Sequence, residues 1–399
     1  METEISAYLR SDGRKGIRNH LLVVYLVECA KHVADEISRQ YRERGVQLVG
    51  FSGCFPNEYS KKMLRELCTH PNVGGVLMVS LGCEGFDRGF LKSAIEKSGR
   101  PVELFGIQST GGTRKTIEAG CRWVENTLSI MDDVERVTMT TEELVVGTIC
   151  GGSDGTSGIT ANPAIGHSFD RLVKEGASVI FEETGELIGC EQILAERATH
   201  PELGGALVAC VEKAARYYDT LGHGSFAPGN ADGGLTTIEE KSMGAYAKSG
   251  GSQISGILKP GDRPQKGGLY LLDVVPDGEV RFGFPNINDN AEIAELIACG
   301  SHMILFATGR GSVVGSVISP VIKVCGNSET YRHMKDDMDI NAGRILDGDD
   351  NLEEVGEEIF AKVISVAQGE QTASESLGHQ EFVLTYKSFT PLGPSCFPR

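Results

Sequence analysis

Short, β-branched apolar runs alternate with amphipathic stretches through residues 20–149, and this alternation limits the folds that the chain can adopt. Five runs have the length and composition of buried strands: His20–Glu28, Val46–Phe51, Gly75–Leu81, Val102–Ile107 and Leu144–Ile149. Four stretches between them have helical spacing: Ala30–Arg44, Glu58–Thr69, Arg88–Ser98 and Arg114–Ile130. Strand–helix–strand alternation predicts a right-handed, mostly parallel sheet with helices on both faces. The expected fold class is therefore α/β.

The length of 399 residues predicts two or three domains. The polar stretch Met131–Glu143 is the candidate boundary. Residues 1–143 are then a Rossmann-like α/β domain, and residues 144–399 are a second α/β domain rich in glycine loops. Further on, Val179–Glu183 and Ala206–Glu212 fit either strands or helices. Gly222–Gly268 is rich in Gly, Ser and Pro with little periodicity, and such a long stretch in a compact domain is expected to build a site.

The composition excludes several classes of protein. A net charge of −17 argues against binding to a phosphate backbone, so no nucleic-acid partner is expected. No apolar run approaches the length of a membrane span, and the N-terminal residues contain no apolar core of a secretory signal. The eleven cysteines are an odd number in a long chain, which is typical of cytosolic thiols, metal ligands or catalytic groups. We therefore expect a cytoplasmic protein that binds a small molecule.

Four cysteines directly follow predicted strands: Cys29, Cys54, Cys83 and Cys150. The carboxyl ends of parallel strands share one edge of a sheet, so these four thiols could converge there. Converging thiolates would favour iron, an iron–sulfur cluster or zinc over magnesium. The alternative is that they are buried as small apolar side chains, and no CxxC or ferredoxin spacing decides between the two. The other seven cysteines are predicted to be core or surface thiols.

Three glycine-rich loops carry polar side chains. Cys150–Pro163 follows a strand and precedes a helix, which is an arrangement that binds anions, including carboxylates. Pro228–Gly244 is the second loop, and Thr308–Gly311 is the third, placing Arg310 at a strand end where its guanidinium could bind a carboxylate. The candidate residues in the first two loops are Ser153, Asp154, Asn162, Asn230, Glu239 and Lys241.

These motifs together resemble the altronate/galactarate dehydratase family. The resemblance rests on YLRSDGRKGIRN at Tyr8–Asn19, GCE at Gly82–Glu84, CGGSDGTSGITANP at Cys150–Pro163, parts of Pro228–Gly244, TGRG at Thr308–Gly311 and DINAG at Asp339–Gly343. It extends from about residue 5 to about residue 390. The family implies an iron-dependent lyase that removes water from a sugar acid or 2-hydroxy acid and gives a 2-keto-3-deoxy acid. Sulfolactate sulfo-lyase, which releases sulfite and leaves pyruvate, belongs to the same family.

The resemblance also implies partners and roles. Single-chain members carry an SAF-type domain before the region matched here, so a separate SAF-type small subunit is expected. Self-association is also expected, because acidic α/β chains of this size often dimerise. Cys54, Cys83 and Cys150, with Cys29 as a fourth candidate, are the expected ligands of iron, as Fe²⁺ or a [4Fe–4S] cluster. Lys241 or Glu239 is expected to transfer the proton. Arg310 is expected to hold the substrate carboxylate with Ser153, Asp154, Asn162 and Asn230.

Three departures from the family pattern leave alternatives open. Phe51 stands where the dehydratases have His, Ala231 stands where they have Lys, and SVVG at Ser312–Gly315 replaces TPYG. The loss of polar groups predicts a smaller or less hydroxylated substrate than a six-carbon diacid. Carbon–sulfur cleavage by a sulfo-lyase large subunit is one alternative, and a non-catalytic sugar-acid-binding subunit is another. A zinc hydrolase is disfavoured, because a His-rich ligand set is missing.

Overall fold

The structure is a computed structural model that describes residues 4–222, 227–278, 288–385 and 387 of the chain. These residues form three β-sheets with helices packed around them. None of the helices in this part of the chain is long and apolar enough to span a membrane. Cys396, for which the sequence predicts a core or surface thiol, lies outside these ranges.

A four-stranded sheet forms in the first part of the chain, in the order β4-β3-β5-β6, and every pair in it is parallel. All eight residues of its strand β5 are buried, as expected for a strand covered on both faces. The predicted strands and helices of this region form with small differences at their ends, and the α/β prediction is confirmed. The elements are β1 (Ile5–Leu9), β2 (Lys15–Gly16), β3 (His20–Tyr25), α1 (Glu28–Gln40), β4 (Val46–Gly50), α2 (Glu58–Cys68), β5 (Val73–Ser80), α3 (Arg88–Lys97), β6 (Val102–Gly106), α4 (Ile107–Thr110), α5 (Thr113–Asp132) and β7 (Arg136–Met139).

A small antiparallel sheet, in the order β2-β1-β7, forms from residues on both sides of the first parallel sheet. Its strand β7 lies inside the polar stretch Met131–Glu143, the predicted domain boundary. The stretch is therefore partly structured, and its role as a domain boundary stays a prediction.

A seven-stranded sheet, parallel throughout, contains the rest of the strands in the order β10-β11-β9-β8-β12-β13-β14. The Gly-rich stretch Gly222–Gly268 contributes two helices and a strand to this region, including the helix that carries Lys241. The elements are β8 (Val145–Cys150), α6 (Ala161–Lys174), β9 (Ser178–Phe181), α7 (Glu191–Glu196), α8 (Pro201–Leu221), α9 (Pro228–Asp232), α10 (Ile238–Lys248), β10 (Ile254–Leu258), β11 (Gly268–Leu272), α11 (Asp289–Ala298), β12 (Met303–Thr308), β13 (Val321–Cys325), α12 (Ser328–His333), β14 (Ile340–Asn341), α13 (Arg344–Asp347), α14 (Leu352–Ala367) and α15 (Ala373–Leu377).

The two parallel sheets share one hydrophobic core. Helices α2 and α11 pack against each other, and the surrounding apolar cluster contains Leu22 and Met78 from one sheet with Ile149 and Ile304 from the other. Helices α6 and α14 cover the opposite face of the seven-stranded sheet. The two sheets are thus held together by buried apolar surface, which is the dominant favourable contribution to folding.

Candidate functional site

The site forms where the order of the seven-stranded sheet reverses. From β8 the chain crosses to β9 on one side, whereas β12 lies on the other side of β8. In open α/β sheets, ligands bind outside the carboxyl ends of the strands at such a reversal. A cavity of about 500 Å³ lies there, lined by residues that follow β8, β9 and β11 and by residues of α8, α10 and α11.

Cys150 ends β8 at the base of this cavity and contacts two carboxylates that follow β9. Its Sγ lies 3.1 Å from Glu183 Oε1 and 3.3 Å from Glu186 Oε2. Cys150 and Glu183 are buried, and the side chain of Glu186 is only 12% exposed. Among the described residues, these three form the one group of Cys, His, Asp or Glu side chains close enough to hold a metal ion together.

Glu183 adopts a strained backbone conformation. Its φ of 75° lies in the left-handed region, and it is the single non-glycine residue with positive φ in the described ranges. This conformation begins the short 3-10 helix Thr184–Leu187, which carries Glu186. Such strain persists where surrounding contacts enforce it, and it is concentrated at functional sites.

Two buried lysines on α10 balance the negative charge of this group. Lys241 Nζ lies 3.3 Å from Cys150 Sγ and 2.8 Å from Glu186 Oε1, and Lys248 pairs with Glu183. Burial by itself lowers the pKa of the Lys241 ammonium, but the Cys150 thiolate and the Glu186 carboxylate outweigh burial and raise it. A lysine that acts as a neutral base requires a lowered pKa, so the pKa of Lys241 is shifted in the opposite direction.

The first glycine-rich loop borders the cavity through Gly151, Gly152 and Ser153. Ser153 Oγ accepts a hydrogen bond from Lys241 at 2.8 Å, and its carbonyl accepts one from Asn230, which also borders the cavity. A Cβ on Gly151 would lie 2.2 Å from Asp289 Oδ2, so this position admits only glycine in the present packing. Glycine thus allows the loop backbone to pack closely against Asp289 in the cavity wall.

Asp154 and Arg310 hold loops in place rather than lining the cavity. Asp154 Oδ1 accepts hydrogen bonds from the backbone N–H groups of Thr156 and Ser157, both at 2.9 Å. Arg310 follows β12, as predicted, but it is exposed, and its guanidinium donates to the carbonyl of Gly229 in the second loop.

Two other predicted residues also lie away from the cavity lining. Glu239 is exposed in the first turn of α10, where hydrogen bonds from its own backbone and from Thr237 lower its pKa. Asn162 is buried near the start of α6, and its Oδ1 has no hydrogen-bond partner within the described ranges.

The other cysteines predicted as ligands follow strands of the four-stranded sheet. Cys54 and Cys83 follow β4 and β5, Cys29 lies in the first turn of α1, and all three thiols are exposed. They occupy carboxyl ends of strands, as predicted, but Cys150 belongs to a different sheet. In the described part of the chain, the structure does not bring the four thiols into one group.

The remaining walls of the cavity carry residues that were not predicted from the sequence. Tyr217 and Tyr218 of α8 line it, as do Asp289 and Glu292 of α11. Burial raises the pKa of Asp289, and the Glu186 carboxylate raises it further. Glu183 offered one signal in the sequence, since it closely follows an apolar strand, in the same topological position as Cys150. No pattern in the sequence indicated that residues of α8 and α11 would line the cavity.

Comparison with known proteins identifies two family matches that together span nearly the whole chain. Residues 141–390 match the model described as D-galactarate/altronate dehydratase, C-terminal. Residues 7–132 match the model described as D-galactarate dehydratase/altronate hydrolase, second domain.

Three curated relatives show how far the similarity extends. The chain is 32% identical to (2R)-sulfolactate sulfo-lyase subunit beta from Chromohalobacter salexigens, over 95% of this chain and 96% of that protein. It is 30% identical to altronate dehydratase from Escherichia coli, over 96% of this chain and 78% of that protein. It is 35% identical to galactarate dehydratase (L-threo-forming) from Escherichia coli, over 79% of this chain and 61% of that protein.

Proposed function

The chain belongs to the D-galactarate/altronate dehydratase family, and from this premise we propose that it is a metal-dependent lyase that removes water from a hydroxy acid. The product is a 2-keto-3-deoxy acid. The observation that carries the proposal is the group of Cys150, Glu183 and Glu186 beside Lys241, at the strand ends where α/β folds bind their ligands.

Cys150, Glu183 and Glu186 would hold the metal. A thiolate with two carboxylates suits a divalent transition metal better than magnesium, which prefers oxygen ligands alone. We propose iron, the metal that the family resemblance implies, as a single Fe²⁺ ion, because the group contains one thiolate and a [4Fe–4S] cluster requires three or four. When bound, the ion supplies a Lewis acid that polarises an oxygen of the substrate.

Lys241 is the residue of this chain that we assign to charge stabilisation. It is the single cation among the described side chains lining the cavity, and Ser153 Oγ holds its ammonium at 2.8 Å. Removing the α-proton of a carboxylate develops negative charge, and a preorganised cation beside that charge lowers the barrier. Ser153 and Asn230 border the same cavity and would orient the substrate. Glu239 has no part in this proposal, because it lies outside the cavity.

The test measures metal content and keto-acid formation in the anaerobically purified protein. Wild type is expected to hold one iron per chain and to form keto acids from a panel of 2,3-dihydroxy acids of three to six carbons. Cys150→Ala and Glu186→Gln should lose both the iron and the activity. Cys121→Ser, which changes a half-buried thiol on α5, is the matched control and should keep both.

Two other outcomes would change the proposed metal site or the proposed function. Acid-labile sulfide that is lost in Cys83→Ala would establish the thiolate cluster predicted from the sequence. Absence of metal after reconstitution with Fe²⁺ would contradict the proposal and favour a binding subunit without catalytic activity.

The sulfo-lyase relative supports a second candidate function, because its alignment covers nearly the full length of both proteins. In that candidate, the same cavity releases sulfite from sulfolactate and leaves pyruvate. The relative's description as a subunit beta also supports a multi-subunit assembly, and we propose a small SAF-type subunit as the partner. Sulfite release measured beside keto-acid formation separates carbon–sulfur from carbon–oxygen cleavage.

A further inference from the structure

A cluster of buried carboxyl groups lies behind one wall of the cavity and contains fewer cations than acids. Lys387 is fully buried, and its Nζ contacts Glu295 Oε1 at 2.8 Å and Glu295 Oε2 at 2.9 Å. Tyr59 donates a further hydrogen bond to Glu295 at 2.5 Å. Glu295 is thus ion-paired and hydrogen-bonded, and it is the carboxylate that Lys387 contacts directly.

Glu292, one turn earlier on α11, lacks a comparable partner. It is 4% exposed, and its Oε1 has no hydrogen-bond partner among the residues that the structure describes. An ionised carboxylate in such a position is costly, because the solvation that it loses is not replaced. Burial accordingly raises the pKa of Glu292 to about 8, although Lys387 opposes the rise.

The groups that face Glu292 are mostly acidic. Glu295 and Asp289 on its own helix and Glu186 across the cavity raise its pKa further. Glu182 after β9 and Tyr218 on α8 also interact with it. A proton on Glu292 removes one negative charge from this crowded group.

Glu292 lines the same cavity as Cys150 and Lys241. We propose that Glu292 is a catalytic residue, the general acid that protonates the departing hydroxyl group. This inference rests on the proposed lyase function. In this arrangement the leaving group of the substrate faces the wall formed by α11, and the part of the substrate where negative charge develops faces Lys241.

The proposed elimination conserves protons and electrons. A base takes the α-proton, the α-carbon–hydrogen electrons form the double bond, and the β-carbon–oxygen bond breaks. The departing oxygen takes the Glu292 proton and leaves as water, so that Glu292 becomes a carboxylate. The enol product then moves its hydroxyl proton to the β-carbon to give the keto acid, and the proton removed by the base returns to Glu292 through solvent.

A proton donor in this position distinguishes the two candidate reactions. Hydroxide is a strongly basic leaving group that requires protonation, whereas sulfite is weakly basic and departs without it. Glu292 therefore favours dehydration as the reaction of this chain.

The kinetic test compares three acids that give the same pyruvate by the same elimination: glycerate, 3-fluoro-2-hydroxypropanoate and 3-sulfo-2-hydroxypropanoate. Glu292→Gln keeps the size of the side chain but has no acidic proton. It should lose roughly 10²- to 10⁴-fold in pyruvate formation from glycerate, the range for general acid catalysis. It should keep the wild-type rate with the fluoro analogue, because fluoride needs no proton to leave. Equal losses with all acids, or no loss with any, would overturn the assignment.

An infrared titration tests the protonation itself without any substrate. Wild type should show the carbonyl stretch of protonated carboxylic acids, and the component from Glu292 should disappear as the pH is raised from about two units below to about two units above the Glu292 pKa. Glu182 and Glu295 are also buried and have raised pKa values, so the readout is the difference between wild-type and variant spectra. Glu292→Gln should lose one component of the band, whereas Glu118→Gln, which changes an exposed carboxylate on α5, should lose none. An unchanged band in Glu292→Gln would overturn this inference. A wild type that eliminates from no acid would instead count against the proposed function.

Discussion

At the scale of single residues, the cavity contains several charged groups that are stable only because each has a buried partner. Glu183 keeps a left-handed backbone while its carboxylate contacts Cys150 and Lys248. Breaking a buried pair by removing one partner costs more than the pair itself contributes, because a charge is left unpaired in the interior. Substitutions at these positions are therefore expected to reduce stability as well as activity.

His302 makes stability depend on pH in a predictable direction. It is buried, its Nδ1 accepts a hydrogen bond from the backbone N–H of Val145, and its Nε2 contacts the carbonyl of Lys15. The neutral ring satisfies both contacts, and burial lowers the pKa of His302 from 6.5 to about 4. As the pH falls from 6.5 towards 4, this histidine binds a proton in the unfolded chain but not in the folded chain. His302 alone should lower the free energy of unfolding by on the order of 3 kcal/mol over this window.

The measurement is urea unfolding of wild type and His302→Gln at several pH values. Glutamine offers an uncharged acceptor and donor and does not titrate. The stability difference between the two proteins should be largest above pH 6.5 and should shrink as the pH falls to 4. Parallel curves would contradict the prediction.

At the scale of elements, the position of Lys241 depends on how closely α10 packs against α6. A Cβ on Gly166 of α6 would lie 2.2 Å from the carbonyl oxygen of Ala247. A Cβ on Gly244 of α10 would lie 2.9 Å from the Cα of Gly158. Gly166 thus allows α10 to approach α6, and Gly244 allows α10 to approach the turn that precedes α6. These two approaches place Lys241 beside Cys150.

Gly166→Ala should push α10 away from α6. The backbone carbonyl that the new methyl group meets cannot rotate aside, so we expect a loss of about 1–3 kcal/mol in the free energy of unfolding. A displacement of Lys241 by about 1 Å is sufficient to lower activity about 10²-fold. The measurements are urea unfolding and keto-acid formation at equal iron content.

Gly205→Ala is the matched control, since it adds the same methyl group to α8 where no atom lies within 4 Å. It should leave activity unchanged and stabilise the protein by about 0.5–1 kcal/mol, the usual gain when Ala replaces Gly in a helix. Equal effects of the two substitutions would show that the close packing of α6 and α10 does not position the site.

At the scale of the whole molecule, a single buried side chain joins all three sheets. Asn72, between α2 and β5, accepts a hydrogen bond from the backbone N–H of Ile17 at 3.0 Å, close to the antiparallel sheet. Its Nδ2 donates to the carbonyls of His302 and Ile318, which precede β12 and β13 of the seven-stranded sheet. The two parallel sheets are therefore joined by polar contacts as well as by the shared core.

Asn72→Ala should weaken this junction. It leaves several buried backbone groups without partners, for which we expect a loss of about 2–4 kcal/mol in the free energy of unfolding. Fluorescence of Trp123, the single tryptophan, reports on the first parallel sheet, and far-UV circular dichroism reports on the whole chain. Asn126→Ala, an exposed change on α5, should stay within about 0.5 kcal/mol of wild type. Wild-type stability in Asn72→Ala would contradict the role of this junction.

The amino-acid sequence by itself determined the class of fold and the local elements. Apolar periodicity and chain reversals are local properties, so β3, β4, β5, β6 and the helices between them were predictable from neighbouring residues. The position of Cys150 and its loop at a strand end was also predictable, because parallel strands expose their carboxyl ends at one edge of the sheet. The family resemblance was also predictable from the motifs, and two family models match the chain.

Only the tertiary structure decided which side chains meet. The sequence places Cys54, Cys83 and Cys150 at equivalent strand ends, but it does not show that the strands divide between two sheets. Glu183, Glu186 and Glu292 reach the cavity through strand order, a left-handed residue and the packing of α11. These are long-range arrangements set by burial and strand pairing between distant segments, and no local pattern records them.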